Sequence, residues 1–133
     1  MKKSVLSFAL LFSVILFTSS CKKDAGEGGT SSITGKIYEK DYNSTFQFLI
    51  SSYYAGDKDV YIIYGDDLSY GDKVSTSYDG TFEFKYLRNG SYKIYTYSKD
   101  STMQSVNDIP IVVSVDIADK KQVVSVKDIV VFN

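Results

Sequence analysis

The chain has 133 residues with 15 basic and 16 acidic side chains, so its formal net charge is −1. It lacks the basic character that nucleic-acid-binding domains usually carry, and we therefore expect no nucleic-acid partner. It has no histidine and a single cysteine, which removes the commonest general base and excludes an intramolecular disulfide.

The N-terminus has the pattern of a secretory signal. Lys2 and Lys3 precede a run at 5–17 that contains no charged residue, and this run is shorter than a membrane-spanning helix needs. Small residues at 18–20 lead directly to Cys21. This arrangement resembles the lipobox of bacterial lipoproteins, and the resemblance implies cleavage just before Cys21 and a triacylated Cys21 that carries palmitate. The alternative is an ordinary cleaved signal that leaves Cys21 as a free surface thiol.

The segment after the cysteine favours a short linker and an outer-membrane address. Residues 22–32 are small or charged, so we expect a flexible linker over 21–32 and a folded domain over 33–133. The residue after Cys21 is Lys22, and it is not the aspartate that retains many lipoproteins in the inner membrane. We therefore expect a lipid-anchored protein of the outer membrane, on either its periplasmic face or the cell surface.

The remainder of the chain shows the two-residue period of β-strands. Apolar side chains recur at every second position in five runs, at 46–50, 60–64, 82–84, 92–94 and 111–117. Turn residues separate these runs, for example Asp79-Gly80 and Asn89-Gly90. Each run should offer one face to a core, and the first should do so through Phe46, Phe48 and Ile50. The pattern predicts an all-β fold, a single antiparallel Greek-key β-sandwich of about seven strands.

One stretch carries a family resemblance, the sequence TSYDGTFEFKYLRNGSYKIYTY at 76–97. It resembles the carboxypeptidase regulatory-like and transthyretin-like domains. The matching positions are Asp79, Gly80, Phe82, Phe84, Leu87, Gly90, Tyr92 and Ile94. The resemblance implies a transthyretin-like β-sandwich over most of the region after residue 33. It does not imply the hydrolase activity of one branch, because that activity depends on histidines that this chain lacks.

Two sets of residues are candidate functional sites, and the first is a group of aspartates. Aspartates cluster in neighbouring predicted loops, at positions 57, 59, 66, 67, 72 and 79. They permit a calcium-dependent module or a small carboxylate-based enzyme, although aspartate is also favoured in turns for its own sake. The spacing matches no known calcium loop, and we predict no metal site, no cofactor and no catalytic residue.

The second candidate site is a set of tyrosines. If Val60, Ile62 and Ile94 face inward, alternation directs Tyr61, Tyr95 and Tyr97 outward, where they could bind a carbohydrate or a protein partner. The alternative is that tyrosine is simply a good strand former. From the sequence we therefore expect a membrane-anchored envelope lipoprotein with a non-catalytic binding or structural domain, such as an accessory to a surface adhesion or transport complex.

Overall fold

The computed structural model describes residues 24–133, which form two β-sheets packed face to face. This confirms the all-β sandwich. There are nine strands in this part of the chain. They are β1 (Glu27–Tyr42), β2 (Leu49–Tyr54), β3 (Asp59–Tyr64), β4 (Asp72–Ser75), β5 (Thr81–Leu87), β6 (Gly90–Ser98), β7 (Ile109–Ile117), β8 (Val123–Ser125) and β9 (Ile129–Phe132).

The first sheet is built around the long strand β1. Both backbone groups of Ile37 bond on the same side, the N–H to Gly80 and the carbonyl to the N–H of Ala55. Strands β5 and β2 therefore follow one another along one edge of β1. Strands β8 and β9 pair with β1 in parallel orientation. The structure has nine strands where about seven were predicted, a minor difference. The prediction that every pair is antiparallel holds except for the two short C-terminal strands, which run parallel to β1.

The second sheet has the order β4-β3-β6-β7 and is antiparallel throughout. The pairing of β6 with β7 is its longest ladder and runs without a register shift from Gly90 opposite Ile117 to Ser98 opposite Ile109. Strand β7 lies at the end of this order and is therefore an edge strand. Its proline, Pro110, is tolerated there because an edge position does not need every N–H group.

The core lies between the two sheets and is formed by the inward side chains of both. Phe82 and Phe84 are each 1% exposed, and their rings meet edge to face at 6.1 Å. The predicted inward positions Val60, Ile62 and Ile94 are fully buried. The other buried apolar residues are Ile33, Ile37, Ala55, Leu87, Tyr92, Val115, Ile117, Ile129 and Val131. Alternation in β3, β5 and β6 therefore predicted the core correctly.

The linker predicted at 21–32 is corrected in its second half, because β1 begins at Glu27. Ala25 already packs against the core, and the Gly26 N–H donates to the Tyr92 hydroxyl at 3.0 Å. The glycines allow close approach to β5, since a Cβ added to Gly29 would overlap the Leu87 carbonyl. The small residues serve backbone contact here, whereas the sequence pattern had indicated flexibility. Residues 1–23, including Cys21, lie outside the described part.

The core face predicted for Phe46, Phe48 and Ile50 was also wrong. Residues 43–48 form a turn in which the Asn43 side chain accepts hydrogen bonds from two backbone N–H groups. Every residue of β2 is exposed, including Ile50 at 66%. This strand pairs with the far half of β1, and the exposure of both its faces means that the second sheet does not cover it. The alternation was that of a strand, but no opposing layer was available to bury it.

Candidate functional site

The outer face of the second sheet carries the tyrosines that the sequence indicated. Tyr61 in β3 lies directly opposite Tyr95 in β6, and Tyr97 follows two positions later in β6. All three point away from the core, while their neighbours Val60, Ile62 and Ile94 point into it. The side chains are therefore brought together by strand register, without any contribution from a long loop.

The rings form one connected cluster. Tyr61 and Tyr95 stack at 4.9 Å with an interplanar angle of 11°. Tyr97 meets both rings edge-on, at 5.9 Å from Tyr61 and 5.7 Å from Tyr95. Tyr70, in the connection between β3 and β4, meets Tyr61 edge-on at 5.0 Å. We call Tyr61, Tyr70, Tyr95 and Tyr97 the tyrosine face.

Tyr70 was missed by sequence reasoning. It lies in a turn-rich segment whose position relative to β3 could not be read from alternation. A signal did exist, because Gly65 and Gly71 bracket a connection short enough to keep its side chains near the start of β4. Tyr70 is 51% exposed, so its ring is available from outside the sheet.

A shallow open groove of about 410 Å³ adjoins the tyrosine face. Its floor includes Tyr95 and Tyr97, and its walls come from the β3–β4 connection on one side and from β7 on the other. The lining residues are Ile63, Leu68, Ser69, Tyr70, Tyr95, Tyr97, Pro110 and Val112. Leu68 is fully exposed and Val112 is 53% exposed, so the groove has an aliphatic rim.

The charges beside the groove pair with each other. The Lys73 ammonium lies 3.0 Å from an Asp59 carboxylate oxygen and 6.0 Å from the centre of the Tyr61 ring. Hydrogen bonds from Lys73 and then Ser75 lower the pKa of Asp59, so it stays ionised at neutral pH. Burial, helped by the neighbouring Tyr97, raises the pKa of Tyr95. Its hydroxyl therefore stays neutral and can both donate and accept a hydrogen bond.

Three of the loop aspartates, Asp59, Asp72 and Asp79, have structural partners. Asp79 accepts hydrogen bonds from Ser77 and from the Thr81 N–H, which hold its pKa at about 2. Asp72 accepts from the N–H of Lys73. Asp66 and Asp67, together with Asp24, line an open depression of about 900 Å³. Across residues 24–133, no three histidine, cysteine, aspartate or glutamate side chains are grouped closely enough to hold a metal ion.

Sequence reasoning did not find the polar cluster around the buried side chain of Glu39. Glu39 is 1% exposed, contacts the Lys58 ammonium, and accepts hydrogen bonds from Tyr53 at 2.8 Å and Asn133 at 3.3 Å. Burial alone would raise the pKa of Glu39, but the bonds from Lys58 and Tyr53 outweigh it and lower the pKa. The signal was present, because Glu39 continues the inward series Ile33, Gly35 and Ile37.

Comparison with known proteins gives little beyond this geometry. No protein-family model matches the sequence, and no curated protein matches it significantly. Among solved structures, the chain is similar to a putative carbohydrate binding protein from Pseudomonas aeruginosa. The identity is 12% and the TM-score is 0.47, with 82% of this chain and 92% of that chain covered. A similarity at this level transfers neither ligand nor mechanism. Within residues 24–133, no helix has the length and hydropathy to cross a membrane.

Proposed function

We propose that this chain is a lipid-anchored, non-catalytic protein of the bacterial envelope whose tyrosine face docks a partner protein. The observation that carries the proposal is a connected cluster of four tyrosine rings, three of which line one open groove with an exposed aliphatic rim. Tyrosine is enriched at the energetic centres of protein interfaces, and exposed apolar patches mark such sites.

The ring geometry favours a protein over a sugar as the main ligand. Sugar rings stack on the open faces of aromatic side chains, but Tyr61 and Tyr95 turn a face towards each other. The side chains of the rim residues Leu68 and Val112 are aliphatic and offer apolar contact only. Both features suit the mixed side chains of a protein surface.

Carbohydrate is the second candidate, and the exposure of two rings supports it. Tyr97 is 48% exposed and Tyr70 is 51% exposed, so each could cover the apolar side of a pyranose. Their phenol hydroxyls could exchange hydrogen bonds with sugar hydroxyls. Binding of the full chain to bacterial polysaccharides, with loss in a Tyr97→Ala variant, would favour this ligand class.

The membrane anchor is the second part of the proposal and rests on Cys21. Because Ala25 already packs against the domain, at most four residue steps connect it to Cys21, which span roughly 14 Å when fully extended. Ala25 lies beside Gly65 and Gly90, so the anchor would bring this end of the sandwich close to the lipid surface. We also propose, from the sequence resemblance at 76–97, that the sandwich is a transthyretin-like or carboxypeptidase regulatory-like domain.

Cross-linking in intact cells tests the docking proposal. A photo-reactive residue at position 70 should give one discrete adduct, and the adduct should be lost when Tyr97→Ala is added. The same residue at Tyr78, which is 93% exposed but outside the face, should give no such adduct. Adducts from both positions alike, or none from position 70, would contradict the proposal.

Fractionation tests the anchor separately. Cys21→Ser should release the chain from the membrane fraction, because the lipid has no other attachment point in the sequence. A serine variant that still sediments with membranes after a carbonate wash would show that Cys21 is not the anchor.

A further inference from the structure

The free edge of β7 is the longest regular strand edge that the second sheet leaves open. Its nine residues pair with β6 without a bulge, and β6 is the only described strand with which it makes extensive contact. The opposite edge strand, β4, has four residues. Unpaired edges of this length readily accept another strand.

The position of the proline shows which backbone groups face outward. Pro110 lies opposite Tyr97 and has no N–H to give to β6, so it occupies a position whose backbone groups point away from β6. By alternation, the N–H and carbonyl groups of Val112, Ser114 and Asp116 point the same way. In the part of the chain that the structure covers, none of these groups has a hydrogen-bond partner in a turn, loop or side chain.

The side chains along this edge are also incompletely covered. Ile111 and Val113 are only half-buried on the inner face, although both pack against the core cluster. On the outer face, Pro110 and Val112 form one wall of the tyrosine groove. A strand added at the β7 edge would bury Ile111 and Val113 further. It would also lengthen the groove that Pro110 and Val112 border.

We infer that β7 accepts an extended segment of the partner protein as an additional β-strand. This inference rests on the proposed function, since the added strand would belong to the partner that occupies the tyrosine face. The segment would have alternating apolar side chains and a basic residue near Asp116, which forms no ion pair among residues 24–133. A second copy of β7 fits less well, because β7 contains no basic residue to place there.

The probe is a synthetic seven-residue peptide, Thr-Val-Thr-Val-Lys-Val-Thr with blocked ends, titrated into the isotope-labelled full chain. Hydrogen exchange followed by NMR should slow at least tenfold at the amides of Val112, Ser114 and Asp116, while the amides bonded to β6 change less. Two further peptides carry N-methyl groups at alternate residues, one at the odd and the other at the even positions. Only one of these two peptides should lose the protection, because strand addition uses the backbone donors on one side of the added strand.

Two variants form a matched pair for the same experiment. Ser114→Pro removes one outward N–H and should weaken peptide binding at least tenfold, whereas Ser114→Ala keeps that N–H and should bind as the parent does. Melting of both variants reports whether the fold is retained. If Ser114→Pro does not fold, the N-methylated peptides provide the same test on the parent chain.

Several results would overturn the inference. Protection at the β2 or β5 edge, equal binding of both N-methylated peptides, or no binding at millimolar peptide would exclude strand addition at β7. Slow exchange without peptide, together with dimers in sedimentation, would identify a second copy as the occupant. Because the readout is backbone exchange, it remains interpretable if Tyr97→Ala leaves partner docking unchanged and the proposed function fails.

Discussion

Strand β6 presents tyrosine to two different environments within six residues. Tyr92 is 1% exposed, accepts a hydrogen bond from the Gly26 N–H and donates to the Arg88 carbonyl at 2.5 Å. Tyr95 and Tyr97 lie on the other face of the same strand, where their rings pack mainly on other tyrosines. The inner tyrosine joins the N-terminal segment to the core, whereas the outer ones leave ring surface available. The same residue type therefore has a structural role on one face and a binding role, as we propose, on the other.

Removal of the inner ring should have the largest effect on stability. Tyr92→Ala should lower the free energy of unfolding by about 3–5 kcal/mol, the range for buried aromatic truncations, since it opens a cavity and leaves the Gly26 N–H unpaired. Tyr92→Phe keeps the ring and should cost about 1–3 kcal/mol through the lost hydroxyl. Chemical denaturation measures both, and a Tyr92→Ala variant as stable as the parent would show that the inward assignment is mistaken.

The N-terminal segment that Tyr92 holds gives the next largest effect. Gly29→Ala should destabilise the fold by about 1–3 kcal/mol, because the new methyl group would overlap the Leu87 carbonyl and force β1 away from β5. Asp24→Ala, at an exposed position before the strand, is the control and should change stability little. Equal melting of the two variants would favour the flexible linker that the sequence had indicated.

The buried glutamate offers a pH-dependent effect of smaller size. The pKa of Glu39 is lowered from 4.5, so its contribution to stability is complete above its unfolded pKa and is lost as pH falls through the folded pKa. Glu39→Gln should be less stable than the parent at pH 7 by about 1–2 kcal/mol, since a neutral amide binds Lys58 less strongly. The difference should shrink below pH 4.5 in denaturation curves. A difference that is constant from pH 3 to pH 7 would show that the carboxylate charge is not involved.

These cases show what alternation can and cannot predict. In β3, β5 and β6 one face of each strand is covered by the opposite sheet. The two-residue alternation therefore identified the buried residues Val60, Phe84 and Ile94 correctly. In the run that holds Ile50 the same period described a strand that no second layer covers. Whether a face is buried depends on an opposing sheet, which is set by long-range pairing and not by the local sequence.

The predicted start of the folded domain, residue 33, was wrong for a different physical reason, since β1 begins at Glu27. Glycine and serine at 28–32 have the composition of a linker, yet here they fit against β5 because they lack bulky side chains. Composition reports how little a segment can bury by itself, and it does not report whether a neighbour needs close backbone approach. The tyrosine face was predictable in its three strand residues, while Tyr70 depended on the path of a turn.

Truncation of an outer ring should have the smallest effect on stability. Tyr97→Ala should change the free energy of unfolding by at most about 0.5–1 kcal/mol, because the ring is 48% exposed and its loss opens no closed cavity. Thermal and chemical melts of the variant should nearly overlay those of the parent. A loss of several kcal/mol would mean that the tyrosine face is part of the structural core.

The most direct test measures docking and stability on the same variants in the full chain. Cross-linking yield from position 70 should fall at least tenfold in Tyr97→Ala and stay at the parent level in Tyr86→Ala, whose tyrosine is 71% exposed on β5. Both variants should melt close to the parent temperature. If Tyr97→Ala keeps the full cross-linking yield, or loses it only because the chain unfolds, the tyrosine face is not the docking site.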